Sequence, residues 1–217
     1  MELKMLCVSG SPVKDGNLET FMKVIADEAN KRGVKTDVVH LSRVKVEECI
    51  HCNYCTRKQT IDKYCALNDD AQAVFKMVEE ADILVLCSPV YFMRTSARLA
   101  AFIDRLRVFI FGNVAAGRLK NKVGMSAAVA WARNGGFETT HLSHMYAFLT
   151  LEMIPVSVHA CVSPLGASAV ASAGGSGVFD KNIRLGIEKD AAGLHTAAKM
   201  VERAVELANI LKSGSIK

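Results

Sequence analysis

The sequence predicts a three-layer α/β/α fold on a five-stranded parallel sheet in the order 2-1-3-4-5, and three observations carry that reading. Short apolar runs rich in Val, Leu, Ile and Met recur five times along 217 residues, each reading as a strand buried on both faces. Helical patterns separate them. Their regular alternation implies right-handed crossovers, a parallel sheet and, with five strands, the doubly wound order. Ligands of such sheets sit outside the carboxyl ends of the strands, so function is expected in the loops after strands 1, 3 and 4.

The elements follow in order. Strands are predicted at residues 3–8, 36–41, 83–87, 123–130 and 153–162, and helices at 18–32, 70–80, 96–111, 137–149 and 190–211. Two segments break the rhythm. Residues 43–69 are too long for an ordinary connection and read as an insertion after strand 2. Residues 163–179 are rich in Gly, Ala and Ser and read as a mobile loop, with a lid, a partner contact and plain surface disorder all open. With half of its residues hydrophobic, the chain has material for one sizeable core, and a single domain (1–217) is expected. It shows neither a leader-type apolar segment nor an apolar run of 18 residues, so a soluble, cytoplasmic protein with reduced cysteines is expected, without membrane association. The net charge of +5 is dispersed, which fits anionic small ligands or an ordinary solvated surface. No basic stripe interleaves with aromatics, so nucleic acid is not an expected partner.

The loop after strand 1, Ser9-Gly10-Ser11-Pro12-Val13-Lys14-Asp15-Gly16-Asn17, runs straight into a helix. Its glycines permit a tight backbone, its polar side chains supply donors, and the helix N-terminus adds N–H groups and a positive dipole end. Neither dinucleotide nor Walker spacing is present. A single phosphomonoester fits better, and FMN is such a ligand. After strand 3, Pro89, Val90, Tyr91 and Phe92 offer flat apolar contact and backbone donors for an isoalloxazine ring, with filling of the core as the other reading of Phe92. After strand 4, Trp131, Asn134, Gly135 and Gly136 bring backbone toward the flavin's pyrimidine edge.

Within the insertion, Cys49, Cys52, Cys55 and Cys65 fall inside seventeen residues. Thiolates at this spacing can fold around one compact centre, which suits a 4Fe-4S cluster; zinc and free thiols stay open. Elsewhere Cys7 and Cys87 fall within strands and should be buried and inert. Glu138, His141 and His144 share one helical face at metal-ligand spacing, but no second helix supplies a matching Glu-x-x-His, and ordinary polar-face residues are the expected reading.

The combination of Gly10-Ser11-Pro12 with Gly16-Asn17, Pro89-Val90-Tyr91-Phe92 with Phe102-Ile103-Asp104-Arg105, and Gly135-Gly136-Phe137-Glu138-Thr139 resembles the NADPH-dependent FMN reductase family of flavodoxin-like proteins. The cysteine run after strand 2 makes it most similar to the iron-sulfur flavoprotein branch. This resemblance implies noncovalent FMN, with phosphate at Ser9, Ser11, Asn17 and Leu18 and the ring at residues 89–92 and at Gly135-Gly136. It also implies a homodimer or homotetramer. Two departures stand out: nine residues separate Cys55 from Cys65, a longer interval than in the branch, and Arg94 stands where these reductases more often carry a small residue.

The expected function is an oxidoreductase in which hydride from NAD(P)H, or electrons through the cysteine centre, reduce FMN and pass to a small-molecule or protein acceptor. The chemistry lies on FMN, so no catalytic side chain is assigned. Two other readings are an electron carrier serving ferredoxin-like partners and a binding protein without flavin.

Overall fold

The computed structural model describes residues 2–159 and 161–214. Strands β1 (Lys4–Ser9), β2 (Lys35–His40), β3 (Ile83–Pro89), β4 (Val123–Ala130), β5 (Ile154–Pro155) and β6 (Ala167–Val170) alternate with helices α1 (Asn17–Asn30), α2 (Tyr54–Arg57), α3 (Ala71–Glu80), α4 (Ala97–Arg105), α5 (Phe137–Thr150) and α6 (Ala191–Ser213). All pairings are parallel and the order is β2-β1-β3-β4-β5, as predicted, with β6 also paired to β4. Every residue of β3 and β4 is buried, whereas the edge strand β2 is largely exposed.

The period of two along a strand divides the core into two layers. Met5, Cys7, Val85, Cys87, Met125 and Ala127 face α1 and α6, while Leu6, Val8, Leu84 and Leu86 face α3 and α4. Helix α1 meets its layer through Leu18, Phe21, Met22, Ile25 and Ala29, a stripe at helical spacing. On the second face β4 carries only small residues, Gly124, Ser126, Ala128 and Ala130, because α5 lies directly on them. A Cβ at Gly124 would stand 2.4 Å from the Phe148 ring.

The fifth strand differs from expectation. Only Ile154 and Pro155 pair, beside Val123 and Gly124; the chain then leaves the sheet and returns as β6 beside Ala127, Ala128, Val129 and Ala130. Since β3 occupies the other edge of β4 from Val123 to Val129, β5 and β6 share one interrupted strand position. The segment read as a mobile loop therefore contains a fully buried strand. Its small residues are a packing requirement: a Cβ on Gly166 would meet His141 Nδ1 at 2.5 Å, and one on Gly193 of α6 would meet Ala169 Cβ at 2.6 Å.

The insertion after β2 is clamped by buried polar side chains. Gln59 donates to the carbonyl oxygens of Tyr64 and Val108 and accepts from the N–H groups of Val114 and Ala115. The Arg105 guanidinium, 1% exposed, donates twice to Asp69 and once to Glu47 O. Tyr64 donates to Glu79, and burial together with that carboxylate pushes its hydroxyl up to about 12.

Candidate functional site: one cavity at the strand ends and a ring of thiols

Three loops meet over the carboxyl ends of β1, β3 and β4 and enclose a cavity of about 480 Å³. Ser11, Gly16, Asn17 and Leu18 line it from the first loop, Pro89, Val90 and Tyr91 from the second, and Trp131 from the third. The N-terminus of α1 opens onto the same space, and no side chain caps it, so its N–H groups and dipole are available to an anion. Beyond those expected residues, Lys14, Asp15, Ala171, Arg184 and Leu185 also line the cavity.

The second loop is a tight hairpin. Tyr91 and Arg94 exchange backbone hydrogen bonds of 3.0 and 3.1 Å, and both central residues are left-handed, Phe92 at φ 48° and Met93 at φ 61°. Bulky residues rarely adopt that conformation, which costs of order 1–3 kcal/mol per residue and collects at functional sites. The surroundings hold it: the Thr139 hydroxyl donates to Met93 O, and Gly136, at φ 92°, abuts the Met93 backbone. Phe92 is 97% exposed, so it fills no core space, and it lies outside the cavity lining. The backbone donors expected here are partly spent, Val90 N–H on Val129 O and Tyr91 N–H on Arg94 O.

Cys49, Cys52, Cys55 and Cys65, all free thiols, line a second, small cavity of about 20 Å³ with Arg105 and Arg107. Left-handed turns at His51 and Asn53 wrap the chain around it. His51 points to solvent. Among the described residues no three His, Cys, Asp or Glu side chains are grouped tightly enough to hold a single metal ion. The donor chemistry fits an anionic, sulfur-ligated group, because the Nε atoms of Arg105 and Arg107 are buried beside the thiols without a hydrogen-bond partner. Burial pushes the Cys55 thiol up, while the Arg107 charge works against it.

The family described as NADPH-dependent FMN reductase matches residues 3–166. An iron-sulfur flavoprotein of Methanocaldococcus jannaschii is 31% identical over 210 residues, spanning 97% of this chain and 100% of the relative. The chain belongs to the NADPH-dependent FMN reductase family and its iron-sulfur flavoprotein branch. An iron-sulfur flavoprotein of Archaeoglobus fulgidus is 29% identical over 211 residues, spanning 97% and 98% of the two chains. In fold, the family member is similar to RosB solved with bound 8-demethyl-8-formylriboflavin-5'-phosphate, with TM-score 0.74, 15% identity, and coverage of 99% and 82%. The architecture is flavodoxin-like.

Several residues singled out from the family's motifs serve the walls rather than line the cavity. Ser9 is fully buried, and its hydroxyl accepts from Ser11 N–H at 3.2 Å, holding the first loop's turn. Pro12 and Asn134 are exposed and do not line the cavity; Gly135 and Gly136 shape the third loop without lining it. Asn17 lines it but commits its side chain elsewhere, accepting from Ile187 N–H at 3.1 Å and donating to Arg184 O at 3.4 Å. Those contacts bring Arg184 and Leu185 to the cavity from far along the chain. Trp131 is stacked on Phe179, with centroids 6.2 Å apart, and donates to Gly177 O. Arg94 is exposed and makes no ion pair among the described residues.

The two histidines of α5, expected on a polar face, lie in the core instead. His141 and His144 are wholly buried, and each presents Nδ1 to the Ser126 hydroxyl at 2.7 Å. His141 Nε2 meets Ser168 at 2.8 Å, and His144 Nε2 meets Thr95 at 3.1 Å. Thr95 continues to Ser88, whose oxygen also accepts Ser96 N–H, and Ser96 donates to Gly10 O. The chain of hydrogen bonds thus ties β6, α5 and β4 to the first two loops of the cavity. Burial pushes His141 down to about 4 and, with His141 beside it, His144 down to about 3. Both rings are neutral, and Glu138, exposed on the helix surface, is no partner in a metal site. Cys7 and Cys87 are buried as expected, and burial pushes the Cys87 thiol far up.

Proposed function

We propose that the cavity over the strand ends holds FMN and that Cys49, Cys52, Cys55 and Cys65 hold a 4Fe-4S cluster. The protein then passes electrons from a reduced nicotinamide through FMN to one-electron acceptors. The observation that carries the reading is the convergence of three strand-end loops on one cavity at the uncapped end of α1. Bound FMN would supply hydride acceptance with single-electron release, and a cluster one-electron transfer. The protein's part is binding and positioning. The α1 N–H groups beside Ser11 would receive the phosphate, Lys14 and Arg184 would offset its charge, and Pro89, Val90, Tyr91 and Trp131 would border the ring. Neither buried histidine lines the cavity.

Stopped-flow mixing of the FMN-loaded protein with NADPH and with NADH tests the reductase assignment. Rapid bleaching of the flavin absorbance is expected. A negligible rate with both would leave the second reading, an electron carrier for ferredoxin-like partners, which the ring of four thiols favours. Iron and acid-labile sulfide analysis of anaerobically prepared protein tests the cluster. Absence of both after reconstitution would remove it. A homodimer or homotetramer in the cytoplasm remains part of the proposal and is checked by light scattering of the loaded protein.

A further inference from the structure

Two arginines border the cysteine cavity, and they differ in one respect. Arg105 also meets Cys65, but its charge is neutralised within its own clamp: Asp69 holds it bidentately, at 2.8 and 3.1 Å, and burial of the pair makes it part of the fold. Arg107 has no carboxylate at ion-pair distance among the described residues. Its Nη2 donates to the neutral Asn53 Oδ1 at 3.0 Å, its Nη1 approaches Cys49 Sγ at 4.0 Å, and its guanidinium lies 5.6 Å from the Phe111 ring centroid. The Nε of Arg107 is buried and unpartnered. A desolvated guanidinium N–H left unpaired is costly, so the arrangement calls for an anionic acceptor, and Cys49, Cys52, Cys55 and Cys65 line the same cavity.

We propose that Arg107 is the counter-charge of the cysteine centre and sets its reduction potential, an inference that rests on those cysteines holding an iron-sulfur cluster. Four thiolates leave a bound cluster anionic, and taking one electron from reduced FMN makes it more so, with no bond formed or broken and no proton transferred. A nearby cation that no carboxylate cancels stabilises the reduced state more than the oxidised one. Hydrogen bonds to sulfur and local charge are the protein's principal means of adjusting such potentials. Asn53 takes part indirectly. Its left-handed backbone, at φ 57°, turns Oδ1 toward Arg107 and keeps the guanidinium against the cavity, so Asn53 is a positioning residue.

The test is a redox titration of the cluster in reconstituted, FMN-loaded protein, followed by its electron paramagnetic resonance signal, in wild type, Arg107→Gln and Arg107→Lys. Removing one unit charge at this range lowers the equilibrium constant for reduction on the order of tenfold, ~59 mV for a one-electron couple. Arg107→Gln is therefore expected to titrate at lower potential, and Arg107→Lys to return most of the way to wild type. An unchanged midpoint in Arg107→Gln overturns the proposal, as does an equal drop in Arg107→Lys, which keeps the charge. Wild-type protein that takes up neither iron nor sulfide instead removes the underlying cluster reading, a result separable from both.

Discussion

Lowering the pH from 7 to 5 should destabilise this protein through His141 and His144. Both are fully buried, and burial holds them at about 4 and about 3. In the unfolded chain a histidine titrates near 6.5. Between these values the unfolded state binds a proton that the folded state refuses, so stability rises with pH and is lost as pH falls below about 6.5. At pH 5 each ring contributes a penalty of about 2 kcal/mol, and the pair about 4 kcal/mol, a large part of a typical total stability. Whether the folded value is 3 or 4 changes little, since both lie below the test pH. Urea unfolding at pH 7 and pH 5 should show that loss, and His144→Gln should lose about half of the pH dependence. His40, which burial also pushes down, is retained in the variant, so the difference isolates His144. Equal pH dependence in the two proteins would refute the reasoning.

Three further outcomes are expected. Thr95 donates to Ser88 and so accepts from His144 Nε2–H, which leaves His144 Nδ1 to accept the one Ser126 hydroxyl proton and His141 to donate to Ser126 from its Nδ1; nitrogen NMR should find one of each tautomer, and a protonated Nε2 on both rings would contradict the bridge. Asn17→Ala removes the hydrogen bonds that hold Arg184 and Ile187, and should weaken FMN binding in fluorescence titration at least as much as Ser11→Ala, by about 1–3 kcal/mol. Gly136→Ala would place a Cβ 2.5 Å from Met93 Cα at a left-handed φ; the hairpin at Tyr91 to Arg94 must shift, and calorimetry should record a lower melting temperature by several degrees.

The parallel sheet was legible because a strand buried on both faces must be largely apolar, as residues 83–87 of β3 and most of β4 are. The cavity loops were legible for a related reason. Ligand sites of doubly wound sheets are fixed by topology, so strand order alone points to residues 9–18, 89–92 and 131–136. The motifs also revealed the family. The interrupted fifth strand was not legible: Gly166, Ala167, Ser168 and Ala169 have the composition of a loop, and only the closeness of His141 on one side and Gly193 on the other shows why nothing larger fits.

The same limit applies to individual side chains. Sheet order, the cysteine-bearing insertion and the loops that meet over the strand ends could be read from the residues alone, since periodicity and spacing are local properties. Packing in three dimensions was needed to show that Asn17 holds Arg184 at the cavity, that His141 and His144 share Ser126 in the core, and that Asp69 neutralises Arg105 whereas no carboxylate among the described residues pairs with Arg107. These are encounters between residues from 15 to 167 positions apart. Burial and partner choice arise from packing, and no local pattern encodes which distant group a buried polar atom will meet.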